Sequence, residues 1–294
     1  MRVLLLIATN FAVLLLATVV LNLLGVGPWL TAHGIAFGPL LTVGAVIGFG
    51  GAFFSLAISK WMAKRTMGVE VIETPRNDTE TWLVATVRHH ATAAGIGMPE
   101  VGIFDSPEPN AFATGASRNH ALVAVSTGLL ARMSRSQAEA VMGHEVTHVA
   151  NGDMVTLTLI QGVVNTFVFV LSRVIGELAD RLLFRRGDDD RGPGIGMFVM
   201  TFVAQIVLSF FASMIVMWFS RRREFRADAG GAQLAGRGAM IGALEALQRV
   251  QSEGLPEGMQ AFGIKGSDRP GGLKRLLMSH PPLAERIAAL QQPA

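Results

Sequence analysis

The sequence predicts a mainly α-helical membrane protein, in which four hydrophobic helices are joined to a polar part that holds a small β-sheet. Three observations lead there. The chain of 294 residues is 50% hydrophobic and only 16% charged, against about 25% charged in an average soluble domain. The missing charge is concentrated: Val3 to Ser59 is a run of 57 residues with none, and further uncharged runs cover Met154 to Ser172 (19 residues) and Gly192 to Ser220 (29 residues). Between the runs, short β-like stretches alternate with helical periods.

A membrane crossing needs about 20 apolar helical residues, so the first run has room for two. Gly25-Val26-Gly27-Pro28 interrupts it, and Gly with Pro is the strongest local punctuation. Helices are therefore expected near 3–24 and 36–58. The first is roughly twice the length of a signal-peptide core of about 7 to 15 residues, which favours an uncleaved anchor. The later runs supply the third and fourth spans. This divides the chain into residues 1–59 (two transmembrane helices), 60–153 (polar), 154–220 (a hydrophobic hairpin) and 221–294 (polar and helical).

Lys60, Lys64 and Arg65 follow the second span and Arg221, Arg222, Arg223 and Arg226 follow the fourth. By the excess of Lys and Arg on cytoplasmic loops, both polar blocks face the cytoplasm. The loop from Glu177 to Arg191 carries Arg181, Arg185, Arg186 and Arg191 against that rule and reads as a solvated linker. Trp29, Trp61 and Trp218 stand at or just beyond span ends, where an indole suits the interface. Gly44 and Gly48 would let helices approach closely, and Gln161, Asn165 and Gln205 are expected to hydrogen-bond between helices.

With no cysteine, disulfides and thiolate metal ligands are excluded. The isoelectric point near 9.9 accompanies a net charge of only +3; with neither Tyr nor Cys, little titrates between His and the few Lys. The sequence offers no compact basic surface with interleaved aromatics, so no nucleic-acid partner is expected.

In the first polar block, Asp78 to Ala94 reads as a helix, and Val101 to Phe104, Ala111 to Thr114 and Ala121 to Ser126 as strands. A helix follows from Ser136, whose Ser136-Gln137-Ala138-Glu139 pattern fits a capping box, and stops at Asn151-Gly152. His89 and His90 read as solvated helix residues. In the second block, helices are expected over Glu224 to Leu234, Ala239 to Val250 and Leu283 to Leu290.

The helix from Ser136 contains His144-Glu145-Val146-Thr147-His148. Histidines at i and i+4 project from one helical face, so both imidazoles can reach one zinc ion, beside which Glu145 can take a proton from a metal-bound water. A catalytic zinc keeps three protein ligands, and His280, Glu224, His120, His89 and His90 are candidates for the third. Asp228 lies four residues after Glu224, placed to accept the second N–H of a ligating ring. The His144 helix precedes span three and Glu224 follows span four, so the two can share a metal only if the hairpin crosses twice or not at all.

Taken in order, Asn110-Ala111-Phe112-Ala113, the His144 to His148 motif, a second hydrophobic hairpin, Arg223-Glu224-Phe225 with Ala227-Asp228, and His280-Pro281-Pro282 resemble the bacterial HtpX membrane metalloproteases, relatives of the CAAX prenyl proteases in the gluzincin class. The resemblance covers nearly the whole chain. It implies a gluzincin-like protease domain on the cytoplasmic side of the inner membrane, one Zn2+ per chain held by His144, His148 and Glu224, and Glu145 as general base. Asn110 would lie by the substrate backbone, and His280 and Arg286 would line the site, with His280 stabilising the oxyanion. Expected substrates are misfolded or damaged membrane proteins in heat-shock-linked quality control. Further expected partners are the lipid bilayer and a homo-oligomer or other quality-control proteases. The competing readings are an intramembrane-cleaving protease, disfavoured by the polar flanks of the motif, and a zinc-binding scaffold without turnover, disfavoured by an intact Glu145.

Overall fold

The computed structural model describes residues 36–183, 194–253, 276 and 278–292. The expected first span, Trp29 and residues 184–191 of the arginine-bearing loop lie outside them. In chain order the elements are α1 (Phe37–Thr66), β1 (Glu70–Val71), α2 (Asp78–Ala93), β2 (Glu100–Phe104), β3 (Ala111–Thr114), β4 (Leu122–Ser126), α3 (Thr127–Arg132), α4 (Arg135–Asn151), α5 (Asp153–Leu183), α6 (Ile195–Ala235), α7 (Arg237–Glu253) and α8 (Leu283–Gln291). They fall into two compact units. Of the described residues, one takes in those up to Ser55 and those within Thr156–Val216, the other Leu56–Val155 and those from Met217 on.

The first unit is built from long apolar helices. Among the described residues, Phe37–Thr66, Asp153–Asp180 and Ile195–Ala235 are long and apolar enough to cross a membrane. Val46, Phe54, Phe202 and Phe211 stand more than half exposed, which water would penalise and lipid would not. Gly44 and Gly48 are buried on α1. A Cβ on Gly48 would fall 2.7 Å from the Thr166 nitrogen and 2.8 Å from the Gly162 oxygen, so α1 and α5 meet backbone against backbone. Gln161 donates to Asn165 Oδ1 at 2.7 Å, one turn along the same helix; that bond is intrahelical, because the two side chains are i, i+4 neighbours.

The second unit holds a four-stranded sheet in the order β1-β2-β4-β3, with β2 and β4 parallel and the other pairs antiparallel. All five residues of β4 are buried, as befits a central strand covered on both faces. Val101, Val123 and Val125 pack on Leu83 and Val87 of α2 and on Met142 and Val146 of α4, a core that Met240, Leu244, Ile287 and Leu290 extend. Phe104, Leu122 and Ala124 face the other way, with Val69. The side-chain period of two thus divides each strand between two clusters, and β3 is left at the sheet edge.

Three further readings from sequence are corrected. The cap of α4 is Ser134, whose Oγ accepts from the Gln137 N–H at 3.3 Å while Gln137 Oε1 accepts from the Ser134 N–H at 3.0 Å. Two overlapping Ser-x-x-Gln/Glu patterns compete here. Glu139 is withdrawn from the second because it accepts the Trp82 indole N–H at 3.0 Å. Glu224 does not start a helix: α6 runs unbroken through Ser220 and the arginines, which are good helix formers. His90 is only 3% exposed, with Nε2 3.1 Å from the Glu139 carbonyl, whereas His89 is exposed. The short elements β1 and α3 were too brief to show a period.

Replacing Gly48 by Val should lower stability by about 1–3 kcal/mol through overpacking, read as a reduced unfolding midpoint in detergent. Gly50→Ala, where an added Cβ meets nothing within 4 Å, should leave the midpoint unchanged or slightly higher.

Candidate metal centre

Helix α4 places His144 and His148 one turn apart, both buried. Their rings meet edge to face with centroids 4.7 Å apart, and their Nε2 atoms are separated by 3.1 Å. Two ring nitrogens at that distance cannot both carry protons comfortably, so what lies behind each ring matters. Nδ1 of His148 is 2.6 Å from Asp153 Oδ2, and Nδ1 of His144 is 2.9 Å from Asp228 Oδ1. A carboxylate behind each ring favours a proton on Nδ1, which turns Nε2 forward as the ligand atom.

The forward lone pairs converge on Glu224, which is 2% exposed. Its Oε1 lies 3.4 Å from His148 Nε2 and its Oε2 3.6 Å from His144 Nε2. Ligand atoms of His144, His148 and Glu224 all lie within 4.8 Å of one another. Tetrahedral metal bonds of about 2.0–2.1 Å put ligand atoms about 3.3 Å apart, so the observed separations fit a small divalent cation. Three ligands leave the fourth position open.

These helices come together because α6 lacks bulk at the contact. A Cβ on Gly230 would fall 2.3 Å from Thr147 Cγ2, and one on Gly231 3.0 Å from the His144 nitrogen. Gly152, with φ of 69°, ends α4 in the left-handed conformation so that α5 begins at once and Asp153 returns to His148. Arg223 fixes that corner, donating from Nη1 to the Asp153 carbonyl at 3.1 Å and from Nη2 to Ser220 Oγ at 3.1 Å.

Arg286 is 6% exposed and grips Asp228 through Nε at 2.7 Å and Nη2 at 2.5 Å, with Nη1 3.4 Å from Glu224 Oε2. Its guanidinium faces Asp228, behind the His144 ring, and the edge of Glu224. His280 has an exposed side chain, and its Nδ1 lies 2.7 Å from Glu224 Oε2. Glu145 is half-buried, and its charge favours protonation of both rings. Asn110 is exposed at the start of the edge strand β3; its N–H donates to Ser126 Oγ at 2.9 Å, and its carbonyl accepts from the Ser126 N–H at 2.8 Å. His120 sits exposed between β3 and β4, and neither it, His89 nor His90 joins the cluster. Sequence reasoning missed Asp153, Arg223 and the Gly230-Gly231 pair. Only Asp153 left a signal, as the first residue after a helix-stopping glycine.

The charges act on one another strongly. Burial opposes a charged His148, but Asp153 and Glu224 raise its pKa to about 10. Asp228 and Glu224 raise that of His144 against the same cost. Burial pushes the Glu224 and Asp228 carboxyls up, yet the histidines hold the first and Arg286 with His144 the second well below the usual range. A cation must displace these ring protons, so its affinity falls as pH falls.

A mixed sheet with two histidines of a His-Glu-x-x-His helix facing a glutamate from a later helix defines a metallopeptidase. Residues 77–294 match peptidase family M48, and the chain belongs to that family. It is 62% identical over 290 residues to a protein named Protease HtpX homolog from Thiobacillus denitrificans, covering 99% of this chain and 98% of the other. It is 60% identical over 292 residues to Protease HtpX of Nitrosococcus oceani, again covering 99% and 98%. The crystal structure of S. mikatae Ste24p shares the fold, with a TM-score of 0.61 at 18% identity over 96% of this chain and 67% of that one. The protein is thus a membrane metallopeptidase that acts on protein substrates, with a site for a metal ion.

Asp153→Asn should weaken metal binding about 10–100-fold, because an amide no longer fixes His148 with Nε2 unprotonated. Titration of chelator-stripped protein with zinc measures it. Unaltered affinity would show that His148 needs no orienting partner.

Proposed function

We propose that the protein is a zinc-dependent endopeptidase of the bacterial inner membrane, cutting misfolded or damaged membrane proteins on the cytoplasmic side as part of quality control. The observation that carries the reading is the opposed pairing of the rings: Asp153 and Asp228 occupy the Nδ1 atoms, and both Nε2 atoms face Glu224. Nitrogen and oxygen donors without thiolate suit zinc, bound once per chain by His144, His148 and Glu224.

When bound, the metal supplies Lewis acidity that lowers the pKa of water and polarises the scissile carbonyl. Glu145 takes the proton of the attacking water and delivers it to the leaving amine. His280, next to Glu224 and open to solvent, donates to the oxygen that gains charge. Arg286 acts through Asp228 and Glu224, holding both carboxylates in place. Edge strand β3, entered through Asn110, offers unpaired backbone groups to an extended peptide. Lys60, Lys64, Arg65 and the arginines after Ser220 support the cytoplasmic orientation. The four segments 1–59, 60–153, 154–220 and 221–294 then serve as anchor, protease part, hairpin and ligand-bearing part.

Purified in detergent with zinc, the protein should cleave an unfolded soluble substrate. Glu145→Ala should cut kcat by at least about 10²–10⁴-fold while zinc remains at one per chain. Cleavage that persists unchanged in Glu145→Ala would sink the mechanism. Loss of zinc in that variant would reassign Glu145 to the ligand set.

A further inference from the structure

Directly past the fourth apolar run, the second unit carries a cleft of about 890 Å³ that the metal chemistry does not use. One wall is a single stripe of α6. Trp218, Arg221, Arg222, Phe225 and Arg226 follow the spacing i, i+3, i+4, i+7, i+8, which puts all five on one helical face. Pro281 and Glu285 form the opposite wall. The stripe starts with an indole, 46% exposed, and continues into three guanidiniums.

Two of these guanidiniums are held. Arg221 Nη1 donates to the Leu276 carbonyl at 3.1 Å and the Met278 carbonyl at 2.8 Å. Arg222 stacks with Cζ 4.9 Å from the Trp218 ring centroid, and both it and Arg226 are exposed. Two depths matter. Ser220 ends the uncharged run, and at about 1.5 Å per residue Arg221 to Arg226 lie within about 9 Å beyond it. Bilayer polar layers are about 5–7 Å thick on each side, so the stripe passes through the height at which lipid phosphates lie.

We infer that this cleft binds the phosphodiester headgroup of an anionic phospholipid, with its arginines on the phosphate and Trp218 and Phe225 against the glycerol and upper acyl carbons. Guanidinium forks match phosphate oxygens in geometry and charge, and basic pockets at the cytoplasmic ends of spans bind acidic headgroups elsewhere. The charge balance selects the class: three arginines against Glu285 leave an excess of positive charge that a zwitterionic headgroup does not neutralise. The inference rests on membrane insertion and not on the peptidase reading. Yet Arg223 and Phe225 flank Glu224, and Pro281 follows His280, so a seated headgroup would brace both sides of the metal centre.

The full chain is purified in detergent, and its unfolding midpoint and retained lipid are followed with dioctanoyl phosphatidylglycerol, dioctanoyl phosphatidylcholine and inorganic phosphate. The expected result is stabilisation and retention by phosphatidylglycerol over phosphatidylcholine. The Arg222→Gln/Arg226→Gln variant should lose that preference about tenfold, one charged hydrogen bond's worth, while keeping its bound metal. The single Arg226→Gln variant serves should the double variant misfold. Equal preference in wild type and folded variant, or none in wild type, would overturn the proposal. Equal stabilisation by inorganic phosphate would also overturn it, by reducing the cleft to a free-phosphate site.

Discussion

The close approach of α4 and α6 at Gly230 and Gly231 is the constraint on which the rest depends. Only without side chains there can one helix lay Glu224 and Asp228 against the rings of the other, since a Cβ on either glycine would run into Thr147 or His144. The sheet core fixes α4 from behind through Met142 and Val146, leaving the histidine face to meet α6. Packing thus determines the ligand geometry before any ion enters.

That geometry buries charge, and charge in low dielectric persists only when it is compensated. Around the rings stand Glu224, Asp228, Asp153 and the half-buried Glu145, opposed by Arg286 and Arg223. Two negative charges remain. One divalent cation cancels them, and the same carboxylates raise the pKa of both rings. Metal and protons therefore compete for the same carboxylate charge.

The sequence disclosed what local spacing encodes. Uncharged runs located the apolar helices, and the i, i+4 histidines needed only helical geometry to share a face. It disclosed less where two patterns overlap or where contact is long-range. Ser134 and Ser136 both begin plausible capping boxes, and a hydrogen bond from Trp82, 57 positions away from Glu139, decides between them. His90 looked solvated because its burial depends on the helix packed over it. Gly230 and Gly231 read as ordinary helix glycines until the neighbour that requires them is in view.

The unbroken course of α6 gives the metal ligands a relation that separate helices would lack. Ser220, which ends the uncharged run, and Glu224 are one turn apart on the same helix, about 6 Å along its axis. A kink or register shift in the upper part of that helix would rotate Glu224 and Asp228 together, since both ride on it at i and i+4. Arg286 and Arg223 oppose such rotation, one gripping Asp228 and the other tying α6 to the Asp153 corner. The same two arginines that balance charge therefore also index the helix.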